Sequence, residues 1–407
     1  MLTALAWRNL WRNKRRTWIS ISAVVFATWL SLLMRGIQLG TYEENMDFVL
    51  GLFTGYLQLQ HPSYDDNPTL HNSIRFDAET EARLRDDDRV EAYATRVVSD
   101  GLVSYRENSL GAILLGIDPL RERGLSRLTN TISEGRMIAS TDAQEVVLGS
   151  TMLENLKARV GDEIVILTQG FDGSLGNMKY TIVGTVKTGL HEFDRGAVFV
   201  GLRSLQELVF MHGRVSMVAV RTRSLHEVDA VVRELNEGFD ASEIRALSWE
   251  QVMPEFKQAI DLDNYSGMLL LGILIVVVAF GILNTVLMSV TERFREFGVL
   301  LAIGMPNSKL VMLVFMETMF ITLLGVLGGN VLGFAVNSWF AANPIVFTGE
   351  YVAMIEEYGW LPQMRSTVKL SSFVNTSFAV ILLATFSVLY PLRRVARLEA
   401  LKGIRYT

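Results

Sequence analysis

Glu292, Arg293, Arg295 and Glu296 place two carboxylates and two guanidinium groups within five residues, in the segment Thr291-Glu-Arg-Phe-Arg-Glu-Phe-Gly298. A short helix carrying both signs of charge can dock into a cleft and register against it through charge-assisted hydrogen bonds. Exposed ion pairs contribute only about 0–1 kcal/mol each, so their value is registry more than affinity. The plainer reading is a solvated turn that merely tolerates charge. Covalent and metal chemistry find little support. The five His residues, at positions 61, 71, 191, 212 and 226, form no H-E-x-x-H pair. The chain has no Cys, which excludes a disulfide framework and a thiolate metal site. Asp118 and Asp194 fall in turns, where Asp is usually structural. No Gly-rich Lys-Ser/Thr phosphate loop occurs, so the chain cannot hydrolyse ATP by that route on its own. We assign no catalytic residue, no metal ligand and no cofactor to this chain.

The charged segment is positioned by apolar runs on either side. Met268–Val290 has 23 residues and no charge, longer than a hydrocarbon core of roughly 30 Å requires. Trp18–Leu39, Leu310–Phe340 and Leu370–Leu392 also meet the length rule. The first is too long for a signal-peptide core and lacks a cleavage pattern, so it reads as a retained span. Residues 40–265 carry 36 Asp/Glu against 22 Lys/Arg. The basic residues of the remainder cluster at Arg8–Arg16, at Arg293, Arg295 and Lys309, and at Arg393–Arg405. Positively charged loops stay in the cytoplasm. Both termini and the hinge after span 2 are therefore expected inside, with 40–265 and 341–369 outside. The acidic outer region argues against a nucleic-acid partner.

The expected fold is an α-helical membrane protein with four transmembrane helices and a large external mixed α/β domain between spans 1 and 2. The divisions are an amphipathic cytoplasmic helix at 1–17, span 1 at 18–39, the α/β domain at 40–265 and span 2 at 268–290. Then come the cytoplasmic hinge at 291–309, span 3 at 310–340, an external loop at 341–369, span 4 at 370–392 and a cytoplasmic tail at 393–407. Trp7 and Trp11, interleaved with Arg8, Arg12, Arg15 and Arg16, suit a helix lying among lipid headgroups. Strands are expected at 55–60, 110–117, 145–148, 163–168, 180–186, 197–200, 216–222 and 243–247. Helices are expected at 78–85, 150–159, 203–211 and 225–237. The Asp86–Asp88 run reads as a solvated helix end.

Within the spans, Gly325, Gly329 and Gly333 repeat every four residues and form a face suited to close helix approach. Asn284 and Glu317 are the intramembrane polar candidates, and Asn284, Asn330 and Asn337 read as interhelical hydrogen bonders. A carboxylate at Glu317 must face other helices or water, or snorkel to the interface. After span 1, Phe48, Val49, Leu52 and Phe53 lie in an apolar-rich stretch. They could contact an acyl-bearing cargo, or they could simply pack as helix extensions.

The segment 286–304, Val-Leu-Met-Ser-Val-Thr-Glu-Arg-Phe-Arg-Glu-Phe-Gly-Val-Leu-Leu-Ala-Ile-Gly, resembles the signature of FtsX/MacB-type ABC transporter permeases. Tyr390-Pro-Leu-Arg-Arg-Val-Ala-Arg-Leu-Glu-Ala-Leu-Lys402 and Ala6–Thr17 are similar to that family's closing and leading segments. Leu115–Pro119, Glu145–Leu167 and Tyr180–Val200 look most like the lipoprotein-releasing (LolC/LolE-like) permeases. The resemblance implies a dimeric bacterial inner-membrane permease, paired with a second copy or a paralogue. It implies a separate ATP-binding ABC subunit, which holds ATP and Mg and engages Glu292, Arg293, Arg295 and Glu296. ATP-driven closure would move the external domains and release lipoproteins or another amphipathic cargo. Two alternatives stay open: an exporter of a small molecule or peptide working with a periplasmic adaptor, and a non-transporting regulator of a cell-wall hydrolase.

Overall fold

The computed structural model describes residues 2–349, 352, 354, 355 and 360–398. The tail from residue 399, with Ala400, Lys402 and Arg405, and most of 350–359 lie outside the described residues. The chain divides into two compact units. One comprises 1–43, 260–346 and 363–407, and the other 44–259 and 347–362. The second unit therefore takes in part of the 341–369 loop, which the hydropathy pattern had separated from the α/β region. Leu361 N donates to Asn45 Oδ1 at 2.7 Å, and Trp360 lies against Phe256.

The helical unit begins with α1 (Leu2–Arg12), which ends at Asn13. There follow α2 (Lys14–Val49) and, after the α/β unit, the long α10 (Pro254–Glu292), α11 (Phe294–Ala302), α12 (Asn307–Ala342) and α13 (Leu370–Ala396). Among the described residues four helices, α2, α10, α12 and α13, are long and apolar enough to cross a membrane. Two run well past their apolar cores. The 39 residues of α10 span ~58 Å at the helical rise. Span limits set by charge stopped at Met268, yet nothing from Pro254 onward breaks a helix. Pro254 itself occupies the first helical position, where its missing N–H costs nothing.

The α/β unit contains α3 (Ala78–Arg85), α4 (Pro119–Leu125), α5 (Ser150–Leu156), α6 (His191–Gly196), α7 (Leu202–Leu208), α8 (Val228–Gly238) and α9 (Trp249–Val252). Its strands are β1 (Leu57–Gln60), β2 (Ile74–Arg75), β3 (Val90–Tyr105), β4 (Asn108–Ile117), β5 (Ile132–Gly135), β6 (Glu145–Gly149), β7 (Glu163–Gln169), β8 (Leu175–Val186), β9 (Ala197–Gly201), β10 (Arg214–Val215), β11 (Met217–Thr222) and β12 (Arg245–Ser248). A short pair, β13 (Ile345–Val346) with β14 (Gln363–Met364), belongs to the helical unit.

Strand β3 organises the α/β unit. Its first half, Val90–Arg96, pairs with β11, which continues through β1 to β12. Its second half, Val97–Tyr105, pairs with β4 and also with β7. From there β4, β9, β6, β8 and β7 return to β3 in a closed ring of hydrogen bonds. Closure leaves no open edge in that ring. Val97, Val103, Leu114, Ile164, Ile166 and Ile182 fill the core.

This 16-residue strand was absent from the sequence expectations because Arg96, Ser99, Asp100 and Gly101 interrupt its apolar alternation. Arg96 is fully buried and donates to both Glu122 oxygens, at 2.6 and 3.0 Å. The Asp86–Asp88 run does follow α3, but Asp87 accepts from Arg89 at 2.7 and 2.9 Å and is mostly covered.

Candidate functional site

The charged segment forms a two-faced helix. Phe294, Phe297 and Gly298, at helical spacing, face inward and are buried. Arg295, Val299 and Ile303 lie on the outer side, with Val299 45% and Ile303 79% exposed. Gly304 then adopts φ +102°, which a side chain would resist, and Pro306 starts α12 from extended backbone.

The four candidate coupling residues do not act alike. Arg295, Glu292 and Glu296 are exposed, whereas Arg293 is largely covered. Glu292 accepts from Arg16 at 2.7 Å, and Glu296 accepts from Arg12 at 2.5 Å and from Arg293 at 3.3 Å. Arg293 is nearly covered. It donates to Glu317 at 2.7 Å and lies over the Phe297 ring. Glu292, Arg293 and Glu296 all carry bonds within this chain, and Glu292 and Glu296 keep nearly half of their side-chain surface open. Burial raises the Glu296 carboxyl, but the hydrogen bonds from Arg12 and Arg293 outweigh it and hold the carboxyl below the usual range.

Glu317 faces other helices of this chain, Arg293 being one of its donors. Its second oxygen accepts from Asn9 Nδ2 at 2.7 Å, and its side chain is 12% exposed, like the 11% of Arg293. Arg16 also donates to the Thr285 carbonyl. A small cavity lies between these elements; Asn9, Arg16, Thr285, Arg293 and Glu317 line it together with apolar residues such as Val286 and Ile321. Sequence reasoning missed the partners of the hinge. It placed Arg12 and Arg16 among headgroups, although Asn9 and Arg12 lie three residues apart and so share one face of α1.

The glycine face packs within the chain. A Cβ at Gly325 would fall 2.5 Å from Val24 Cβ, and one at Gly333 2.7 Å from Leu32 Cδ1. Asn337 donates to the Leu32 carbonyl at 3.1 Å and accepts from Ser366 at 2.7 Å. Asn330 donates to Ser377 at 2.9 Å. Asn284 differs from the interhelical expectation: it lies on the exposed side of α10, between Phe280 and Met288, both exposed.

The cargo-contact expectation also changes. Val49 and Leu52 are buried, and Phe48 is half-buried. Phe53 packs edge-on against Phe193 and Phe199, with the Arg96 guanidinium 3.6 Å above its ring. A π-helical turn, Leu50–Thr54, rotates these side chains into the α/β core and closes at Gly55, whose φ of +77° needs glycine. Val49 and Leu52 are thus closed off, and Phe48 and Phe53 keep part of their surface open.

The arrangement defines a membrane protein of four long apolar helices with a large α/β domain. The family described as FtsX-like permease C-terminal matches residues 268–400, and the MacB-like periplasmic core domain matches residues 17–237. The lipoprotein-releasing system transmembrane protein LolC of Neisseria meningitidis is 21% identical over 325 residues, 77% of this chain and 78% of that protein. The macrolide export ATP-binding/permease protein MacB of Escherichia coli is 20% identical over 386 residues, 89% of this chain and 58% of that protein. Among solved structures, the periplasmic region of MacB from Actinobacillus actinomycetemcomitans aligns at 14% identity over 54% of this chain and 98% of its own length, with a TM-score of 0.37. The extracellular domain of the transporter YknZ aligns at 18% identity over 47% and 99%, with a TM-score of 0.34. This chain belongs to the FtsX/MacB-type family of ABC transporter permeases.

Proposed function

We propose that this chain is the permease subunit through which a separate ATP-binding subunit drives movement of the α/β domain, and that its cargo is a lipoprotein or a similar acyl-anchored molecule. The observation that carries the reading is the two-faced α11. Its inner face is fixed by Phe294, Phe297 and the ion pairs, while Arg295, Val299 and Ile303 are left free to enter a cleft on a partner. Apolar residues bordered by a basic one make a suitable anchor for such a cleft. ATP and Mg2+ would reside on that partner. The likeness to LolC supports lipoprotein as cargo, since it extends along most of both chains.

The basic clusters at Arg8–Arg16 and Arg293–Lys309 support a topology with the termini and α11 on the cytoplasmic side of a bacterial inner membrane and the acidic 40–265 region outside. A second copy or a paralogue is proposed to seat against α10, where Asn284 would otherwise present an amide to lipid. A second reading is export of a small molecule with a periplasmic adaptor. The MacB-like core domain match across residues 17–237 favours it.

Affinity purification of the full chain from native membranes into nanodiscs tests the cargo. Lipoprotein release predicts co-purifying acylated proteins that leave on addition of ATP. Recovery of an adaptor without acylated protein would replace this reading with the exporter.

A further inference from the structure

We infer that α1 is the positioning arm of α11, with Glu317 as its anchor. The inference rests on reading α11 as the docking helix. The hydrogen bonds form a closed circuit. Asn9 on α1 donates to Glu317 on α12, and Arg293 donates to the other oxygen of Glu317. Arg293 also donates to Glu296 on α11, and Arg12 on α1 completes the loop. The circuit leaves α1 at residue 9 and returns at residue 12, three positions apart and therefore on one helix face.

Its members differ in strength. The Arg12–Glu296 pair is about half exposed on both sides, so it contributes registry. The Arg293–Glu317 pair is nearly dry, and a carboxylate there that lost its donors would be strongly penalised. Tilting α11 must therefore either break the circuit or carry α1 with it. The rest of α1 is attached accordingly. Ala6 and Leu10 are buried, and Trp7 stacks edge-on against Phe320. Arg16, at the base of α2, holds Glu292 and the Thr285 carbonyl at the end of α10. Thr17 donates back to Leu10 across the Asn13 break, at 2.5 Å. Through α1 a movement of α11 thus reaches the base of α2 by a route that does not run along α10. Asn9, Arg12 and Glu317 are positioning residues and need not touch the partner.

The test uses the full chain in nanodiscs, with one nitroxide at Val299→Cys, a site free of background because the chain has no Cys. Arg12→Glu and Glu296→Arg should each loosen the label, raising its mobile fraction about fivefold. The exchanged double variant should restore immobility, which a merely destabilising change would not do. Glu317→Gln should loosen it further. If that variant does not fold, the exposed Arg12/Glu296 exchange still decides. Equal label mobility in wild type and both single variants would overturn the inference. A parallel measurement of ATP hydrolysis by the complex with its ATP-binding subunit separates the two claims. Labels that respond while wild-type permease leaves that activity unchanged would sink the docking reading and leave the arm standing.

Discussion

Gly329 lies so close to Thr28 that a methyl group on the glycine would fall 2.5 Å from Thr28 Cβ. The two helices meet backbone to backbone because Gly325, Gly329 and Gly333 carry no side chain on that face. Gly329→Leu should therefore force α2 and α12 apart and lower the melting temperature of the detergent-solubilised protein, at an overpacking cost of about 1–3 kcal/mol. Leu at Leu327, on the exposed side of the same helix, already faces outward, so Leu327→Ala is the control and should leave melting unchanged.

Arg96 and Glu122 form a fully buried pair. Glu122→Ala would leave a guanidinium without its carboxylate in the interior, at a cost of about 3–5 kcal/mol. Hydrogen exchange on the full-length protein should show loss of protection in β3 and in the Leu50–Thr54 turn, because Arg96 also donates to the Phe53 carbonyl. Unchanged protection there would mean the pair is dispensable.

Acid should weaken the α/β unit. Hydrogen bonds from Arg136, at 2.6 and 2.8 Å, hold the Glu145 carboxyl below its usual range. Arg89 does the same for Asp87 and Glu234, and the Thr80 N–H for Asp77. These folded-state values lie under those of the unfolded chain, about 3.9 for Asp and 4.3 for Glu. The unfolded chain thus takes up protons first as pH falls. The stabilisation is complete above about pH 5 and is lost as pH drops through the lowered values. A melting temperature that stays level from pH 8 to 5 and falls below about pH 4.5 is expected, and Glu145→Gln should fall less steeply.

Orientation is checked by labelling. Ser174 and Ser308 are both exposed, and no native Cys competes. In intact spheroplasts an impermeant thiol reagent should modify Ser174→Cys and spare Ser308→Cys. The opposite pattern would invert the proposed topology.

Several features could be read directly from residue patterns. The apolar runs located the four long helices, and the spacing of Gly325, Gly329 and Gly333 marked a contact face, because both signals are local. Strand β3 could not be read this way, since its buried Arg96 is satisfied by Glu122, 26 positions away. The hinge posed the same difficulty. The segment around Glu292–Glu296 stood out for its mixed charge, but a charge pattern does not say which groups are already paired. Glu292 and Glu296 find Arg16 and Arg12 at separations of 276 and 284 positions. The residues left outward, Val299 and Ile303, belong to an apolar stretch that gave no sign of facing out. At Phe53 an apolar run next to a span suggested surface, whereas the π-helical turn rotates it into the core.

The central claim is that α11 is where a separate ATP-binding subunit takes hold. A photoreactive benzoylphenylalanine at Ile303, which is 79% exposed, tests it in native membranes. The account predicts a covalent adduct with an ABC-type ATP-binding subunit, identified by mass spectrometry, and no such adduct from the same probe at buried Phe297. Adducts at Ile303 with lipid or with further copies of this chain alone would contradict it.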